Sequence, residues 1–269
     1  MADRADRFVG RARPGRTLTT MRSSSHVVAE LSGGITRLIH MRSEAPLLLR
    51  PTPGGLYLVG GAAGPLGGDE ARLRIEVGPG AQLSVHSTAA SVALPGRLGQ
   101  PSRLRIDATV AEGAELRWLT EPTILAGGCR HHIQCAVHVS ADARLVWREE
   151  LILGRHGERP GSGSSRMDCV IEAQPVYRNE QVIAGRSRGW DGPAAVGSAK
   201  AVGSLLVAAP HLAGQPAQPK ILSQTAAIMP LAGPAALASA LADDSLVLRT
   251  YLDQALDRLT DAAAVDLSA

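Results

Sequence analysis

One short pattern, met three times in the first half of the chain, limits what it can fold into. Arg72-Leu-Arg-Ile-Glu76 leads into Val77-Gly-Pro-Gly-Ala81 and then Leu83. Arg103-Leu-Arg-Ile-Asp107 leads into Val110-Ala-Glu-Gly-Ala114 and Leu116, and His132-Ile-Gln-Cys-Ala136 into Val139-Ser-Ala-Asp-Ala143 and Leu145. The alanines that close the three turns, Ala81, Ala114 and Ala143, stand 33 and 29 residues apart. Each copy reads as an alternating strand, a tight turn at Pro79-Gly80, Glu112-Gly113 or Ala141-Asp142, and a second strand. One such copy cannot bury its apolar face alone, so the copies must stack or meander into a β scaffold.

The flanking segments extend the same reading. Ser25–Leu31 and Ile35–Met41 alternate around Ser32-Gly33-Gly34 and predict a hairpin. Leu47–Arg50 and Leu56–Val59 are short apolar strands, and the Gly-rich stretch Gly60–Glu70 is neither helix nor regular sheet. Polar, Gly-rich Gly154–Ser165 predicts a surface loop, with Gly161-Ser-Gly-Ser-Ser165 flexible by composition. Arg166–Ile171, Val176–Ala184 and Ala201–Ala209 predict further strands. At the end Leu248, Leu252 and Leu259 take helical spacing, widened by Tyr251, Ala255 and Leu256, behind the capping residues Asp243-Asp244-Ser245. This predicts one short amphipathic helix over about 245–261, covering an edge or face of the sheet, with Arg249 and Asp253 paired on its exposed side. The fold class is therefore mainly β, a β-helix-like, stacked two-layer scaffold of strand-turn-strand repeats with one C-terminal helix.

Length and composition bound the rest. The 269 residues suit a single all-β domain, read as 23–269, preceded by an Arg-rich and disordered tail over 1–22. In that tail Arg4, Arg7, Arg11, Arg13, Arg16 and Arg22 face two Asp. A 45% hydrophobic content supplies a core, but only 3% is aromatic, so aliphatic side chains must fill it. A net charge of +3 is too small to indicate a nucleic-acid partner. No secretory signal and no apolar run of about 18 residues is evident, so membrane partners are not expected. Three cysteines argue for a reducing, cytoplasmic setting over a disulfide framework.

The search for chemistry yields no P-loop, no His-Glu-x-x-His and no Gly-x-Ser-x-Gly, and no enzyme is predicted. Cys129, His131, His132, Cys135 and His138 form the one dense set of soft-metal ligands. On a strand, Cys129, His131 and Cys135 share one face, with His132 and His138 on the other, which splits the set. Among carboxylates, Asp69 and Glu70 end the Gly-rich stretch, and Glu158 and Glu180 follow later. Glu149 and Glu150 interrupt an apolar strand and must point to opposite faces. An inward carboxylate needs a partner, water or a metal ion, and Arg155 is the nearest partner in sequence.

Several segments in order resemble one family. These are Gly67-Gly-Asp-Glu70, Thr88-Ala-Ala-Ser91, the Trp118 passage Glu115–Ile124, and Leu145-Val-Trp147 with Leu153-Gly-Arg155 and Gly157-Glu158. Leu241-Ala-Asp-Asp244 before the helix completes the set. Together, across about 35–260, they resemble the UreD (UreH) urease accessory proteins. The chain departs from them at Val92-Ala-Leu-Pro-Gly96, where the family is basic and aromatic, and at Gly60-Gly-Ala-Ala-Gly-Pro65.

The resemblance implies a nickel-insertion chaperone that binds urease apoprotein and recruits accessory protein F and, through it, the GTPase G. It also implies a two-layer β-helix-like fold and a water-filled tunnel carrying transient nickel, with no permanently bound cofactor. By position it places Asp69, Glu70, Glu149 and Glu180 on the metal path, with Arg155 as a polar partner. Two alternatives stand beside it: a stand-alone β-solenoid that binds another ligand, and a small metalloprotein built on Cys129–His138. The Ala-rich stretch from Ala226 to Leu241 reads either as core or as an apolar docking surface.

Overall fold

The alternating segments of the repeats fold as successive coils of two facing sheets. The structure, a computed structural model, describes residues 20–185 and 188–261. The tail expected over 1–22 thus falls, for residues 1–19, outside the described residues, while Arg22 opens the first strand.

Along the chain, β1 (Arg22–Ser32) and β2 (Ile35–Arg42) form one hairpin, and β3 (Leu47–Thr52) and β4 (Gly55–Gly60) a second. The first repeat supplies β5 (Glu70–Val77), β6 (Gln82–Ser87) and β7 (Ser91–Ala93). The second supplies β8 (Ser102–Val110), β9 (Glu115–Trp118) and β10 (Thr123–Leu125), and the third β11 (Arg130–Val139) and β12 (Arg144–Ile152). There follow β13 (Ser162–Ile171), β14 (Gln174–Ala184), β15 (Ala201–Ala208), a single turn α1 (His211–Gly214), β16 (Lys220–Ser223), β17 (Ala226–Pro230), β18 (Ala235–Ala242) and the long helix α2 (Ser245–Asp261).

Equivalent strands pair in parallel. A seven-stranded sheet runs β14-β13-β11-β8-β5-β1-β2, and an eleven-stranded sheet carries β6, β9 and β12 side by side opposite it. Within a copy the turn carries the chain from one sheet to the other instead of closing a hairpin, so the copies stack. In register, Leu73 lies beside Ile106, Ile106 beside Cys135, and Cys135 beside Met167. The first two steps repeat the spacings of 33 and 29 residues, and the third, of 32, makes β13 a fourth parallel rung of this sheet, after which the chain turns back in a hairpin with β14 instead of crossing. Its turn lacks the Gly or Ala signature of the others, which is why the sequence shows it only as a strand.

Stacking turns each inward position into a ladder. Val77, Val110, Val139 and Ile171 line one sheet, and Leu83, Leu116 and Leu145 face them from the other, all buried. Each such side chain stabilises the fold by about 1.5–3 kcal/mol. Val85, Trp118 and Trp147 form the next ladder, and the two indoles stack at 4.8 Å and 9°. Ala81, Ala114 and Ala143 are buried where the chain bends between sheets, a place with room for a methyl group and little more.

Helix α2 spans the predicted range, capped by Asp244, whose Oδ1 accepts the Val247 N–H at 2.8 Å. Leu248, Leu252, Ala255 and Leu259 pack on the outer face of the larger sheet, against Val146, Leu205 and Val207. The approach is close: a Cβ on Gly203 would lie 2.9 Å from Leu252 Cδ1. Ala226, Ile228, Ala236, Ala238 and Ala240 belong to the same second core, so the Ala-rich stretch is packing.

Two expectations are corrected. The loop predicted over Gly154–Ser165 ends early, because Ser162–Ser165 open β13 and pair with Arg130–Ile133. Small hydroxyl residues tolerate the sheet there since each finds a partner: Ser164 bonds His132 outside, and Ser165 bonds Glu149 inside. Arg249 and Asp253 do not pair with each other. Both reach back to the sheet, Arg249 to Glu150 and Glu121, Asp253 to Arg148, because buried ions of β12 are stronger partners than a solvated neighbour one turn away. No described helix is long and apolar enough to cross a membrane.

Candidate functional site

Coil lengths differ by single residues at one place, and this opens the larger sheet. Val85, Trp118 and Trp147 share a rung, as do Ser91, Thr123 and Leu151. Between those rungs the chain takes six residues in the first coil, five in the second and four in the third. The third coil, β12, therefore runs straight, while the other two must leave the ladder at 88–90 and 119–122. Glu121 N–H, donated to Ser87 Oγ at 2.9 Å, ties the second excursion to the end of β6, where the first begins. Arg148, Glu149 and Glu150 are left without a ladder partner on that side, at the rim of a window.

A cavity of about 520 Å³ reaches this window. Adjacent strand residues point to opposite faces, yet Arg148, Glu149 and Glu150 all line it, so it reaches from the space between the sheets into the window. Between the sheets its polar wall includes Asp69, His131, Cys135, Glu149 and Ser165, amid apolar Leu58, Leu104, Trp118 and Leu151. At the window it is lined by Glu121, Arg148 and Glu150.

Glu149 is half-buried and held by neutral donors alone: Ser165 Oγ at 3.0 Å, Cys135 Sγ at 3.3 Å and Trp147 Nε1 at 3.3 Å. Among the described residues no cation pairs with it, and Arg155, the expected partner, lies on the surface bonded to Glu158 at 2.8 Å. That bond, with a backbone contact from Gly127, lowers the Glu158 carboxyl to about 2. Glu150, on the opposite face, is buried with Arg148 Nε at 3.0 Å and Arg249 Nε at 2.7 Å. Burial raises its pKa, and the two guanidiniums work against that shift.

Asp69 lines the far end of the cavity and also staples the backbone. Its Oδ1 accepts the Met21 N–H and its Oδ2 the Leu66 N–H, each at 2.9 Å. The glycines before it serve the same turn. A Cβ on Gly67 would lie 2.4 Å from Gln100 O and 2.5 Å from Gly96 N, and Gly68 has φ +100°. Glu70 points to the outer face of the seven-stranded sheet near Arg22, at 3.6 Å, and Glu180 is exposed on that face opposite Arg166. Of the carboxylates placed on a metal path by resemblance, Asp69 and Glu149 line the cavity; Glu70 and Glu180 do not.

The Cys/His set divides by parity as the strand pattern predicts. Cys129, His131 and Cys135 are buried inward, while His132 and His138 lie outside. Burial, with Glu158 nearby, pushes the Cys129 thiol up to about 11, and burial, with Glu149, pushes Cys135 well up, so neither offers a thiolate. Burial, with His132 beside it, lowers His131 to about 4, and its Nδ1 bonds Ser102 Oγ at 2.9 Å. Among the described residues no three His, Cys, Asp or Glu side chains converge on a metal position. Sequence reasoning missed Glu121, Arg148 and Arg249 as neighbours of Glu150. The signal lay in two charges of opposite sign, Arg148 and Glu150, set two apart in an apolar strand.

Comparison with known proteins points to one family. A model of the family described as UreD urease accessory protein matches residues 21–267. A protein named Urease accessory protein UreD from Streptomyces avermitilis is 41% identical over 250 residues, covering 90% of this chain and 99% of its own length. One of the same name from Streptomyces coelicolor is 42% identical over 246 residues, covering 89% and 97%. A third, from Frankia alni, is 41% identical over 286 residues, covering 91% and 96%.

Proposed function

The chain belongs to the UreD family of urease accessory proteins, and from that premise we propose that it is a non-enzymatic assembly factor that passes nickel to urease through the cavity behind Glu149. In this reading it acts in the cytoplasm, binds urease apoprotein, engages accessory protein F and through it the GTPase G, and holds nickel only as cargo. Exposed apolar side chains on the edge strand β2, Ile35 and Ile39, and on α2, Leu246, suit protein partners.

One observation carries the conduit: a half-buried carboxylate with no counter-cation among the described residues, in a cavity that reaches the window in the sheet. A path must admit an ion and also release it. Carboxylate and water ligands meet both needs, whereas a thiolate and imidazole cage would retain nickel. The Cys135 thiol stays protonated, so the oxygens of Asp69 and Glu149, with the neutral imidazole of His131, are the donors a passing divalent ion would meet between the sheets.

The test is Glu149→Gln, co-expressed with urease and the other accessory proteins. Glutamine keeps the shape and an acceptor for Ser165 while removing the charge. Urease should assemble with the variant in pull-down yet contain less nickel and show reduced activity. Full nickel loading and activity would overturn the conduit, and failure to capture urease with either version would overturn the assembly role.

A further inference from the structure

Two carboxylates of the cavity lining, Glu121 and Glu150, are bridged by one side chain from α2, and its geometry resembles that of a bound cation. Arg249 donates from Nε to Glu150 Oε1 at 2.7 Å, from one terminal nitrogen to Glu121 Oε1 at 3.2 Å and from the other to Glu121 Oε2 at 3.2 Å. Two carboxylates from different elements, the strand β12 and the excursion 119–122, thus converge on one guanidinium. We infer that Glu121 and Glu150 form a binding port for a divalent cation, which Arg249 closes by taking the cation's place.

Charge and burial both support a port over a purely structural ion pair. The cluster contains three carboxylates, Glu121, Glu150 and Asp253, against two guanidiniums, Arg148 and Arg249. Without Arg249 it keeps three against one, an excess of two negative charges, the charge of one divalent ion. Independently of that count, the Glu150 side chain is 1% exposed, lines the cavity, and has an Oε2 with no hydrogen-bond partner among the described residues. A buried carboxylate oxygen without a donor is costly to keep, and a hydrated cation in the port would satisfy it. The ligands are oxygens, so the port suits a hard or borderline divalent ion held with water.

Arg249 stands in the second turn of a helix whose first turn exposes Leu246 and Val247. A small displacement of α2, or rotation of this one side chain, frees both carboxylates without unfolding the sheet. As a step in nickel passage the inference rests on the conduit proposed above; as a binding site it stands alone.

The experiment is calorimetric titration of nickel chloride into the purified full chain, comparing wild type, Arg249→Gln and Arg249→Gln/Glu150→Gln, with thermal melting of each. Arg249→Gln should gain one nickel site at least about tenfold tighter than any in the wild type, and Glu150→Gln in that background should abolish it. A well-folded Arg249→Gln that titrates like the wild type overturns the port. If that variant does not fold, Arg249→Lys replaces it: lysine keeps the charge but cannot fork between two carboxylates, so it should bind nickel more tightly than wild type, and no gain overturns the port. A gain in Arg249→Gln alongside normal urease activation by Glu149→Gln supports the port and overturns the conduit. The reverse pattern overturns the port and leaves the conduit standing.

Discussion

Replacing Asp69 by alanine should destabilise the fold before it alters any ion path, and the structure sets the size of the effect. The carboxylate is buried and accepts two backbone N–H groups, from Met21 and Leu66, each at 2.9 Å. Alanine removes the acceptor of both donors beside the tight Gly67–Gly96 contact. Hydrogen bonds to a charged acceptor contribute roughly 1.5–3 kcal/mol each, so the loss is about 3–6 kcal/mol. For a chain of this size 1 kcal/mol moves the melting temperature by about 2–4 °C, which predicts a fall on the order of 10 °C. Asn keeps one acceptor and should lose about half as much. Glu70→Gln, on the outer surface, should melt like the wild type. Thermal melting of the three variants, with urea midpoints, checks the series, and an Asp69→Ala protein within about 1 °C of wild type would refute the staple. The distinction matters for function: lost urease activation in Asp69→Ala alone does not identify a nickel ligand, whereas loss in a folded Asp69→Asn does.

Other outcomes follow from the same geometry. Burial holds His131 near 4 against an ordinary value of 6.5, so between those values the unfolded chain binds a proton that the native state refuses. Its contribution is complete above pH 6.5 and is lost as pH falls to 4, about 3 kcal/mol in all, and His131→Gln should flatten that limb of urea midpoint against pH. Leu248→Ala empties a fully buried site between α2 and the sheet and should cost about 2–4 kcal/mol by urea denaturation, without reducing urease capture in pull-down. The double change His132→Ala/His138→Ala, on the outer face, should leave nickel loading of urease unaltered in co-expression; a large loss there would reinstate the histidines as ligands.

The coils were legible because their cause is local. Alternation, a turn residue and a small alanine recur at intervals that match the register of β5, β8 and β11, and the caps and leucine spacing of α2 are equally local. The fourth rung, β13, escaped because its chain leaves the repeat: Glu172, with φ 51°, turns it back into a hairpin with β14, so no crossing turn and no repeated letter marks it. The cavity was less legible still. Glu149 and Glu150 stand out in an apolar strand, but their partners lie 16 residues away at Ser165 and 99 away at Arg249, and only the stacked fold brings these together. Glu180 shows the opposite error: its residue type fits a metal path, yet a position opposite Arg166 in an edge strand places it on the outer face.

The window itself argues that the opening belongs to the architecture. In a perfect solenoid every coil has the same length, each ladder is complete, and the space between sheets is sealed by side chains. Here the rung-to-rung length grows from four to five to six residues across three coils, each step adding one residue that cannot pair. A lone extra residue would give an ordinary bulge, bending one strand and redirecting one side chain. One in the second coil and two in the first, linked by the Glu121–Ser87 bond, stack into a continuous gap beside β12. Charged residues can then occupy Arg148, Glu149 and Glu150, because the gap supplies the water and counter-ions that a closed ladder would exclude. Removing one residue from 119–122 should therefore close the ladder against β12 and make the carboxylates at 149 and 150 destabilising. Glu149→Gln should then raise the melting temperature of the shortened chain more than that of the full-length one, and equal effects in both would show that the opening does not depend on coil length.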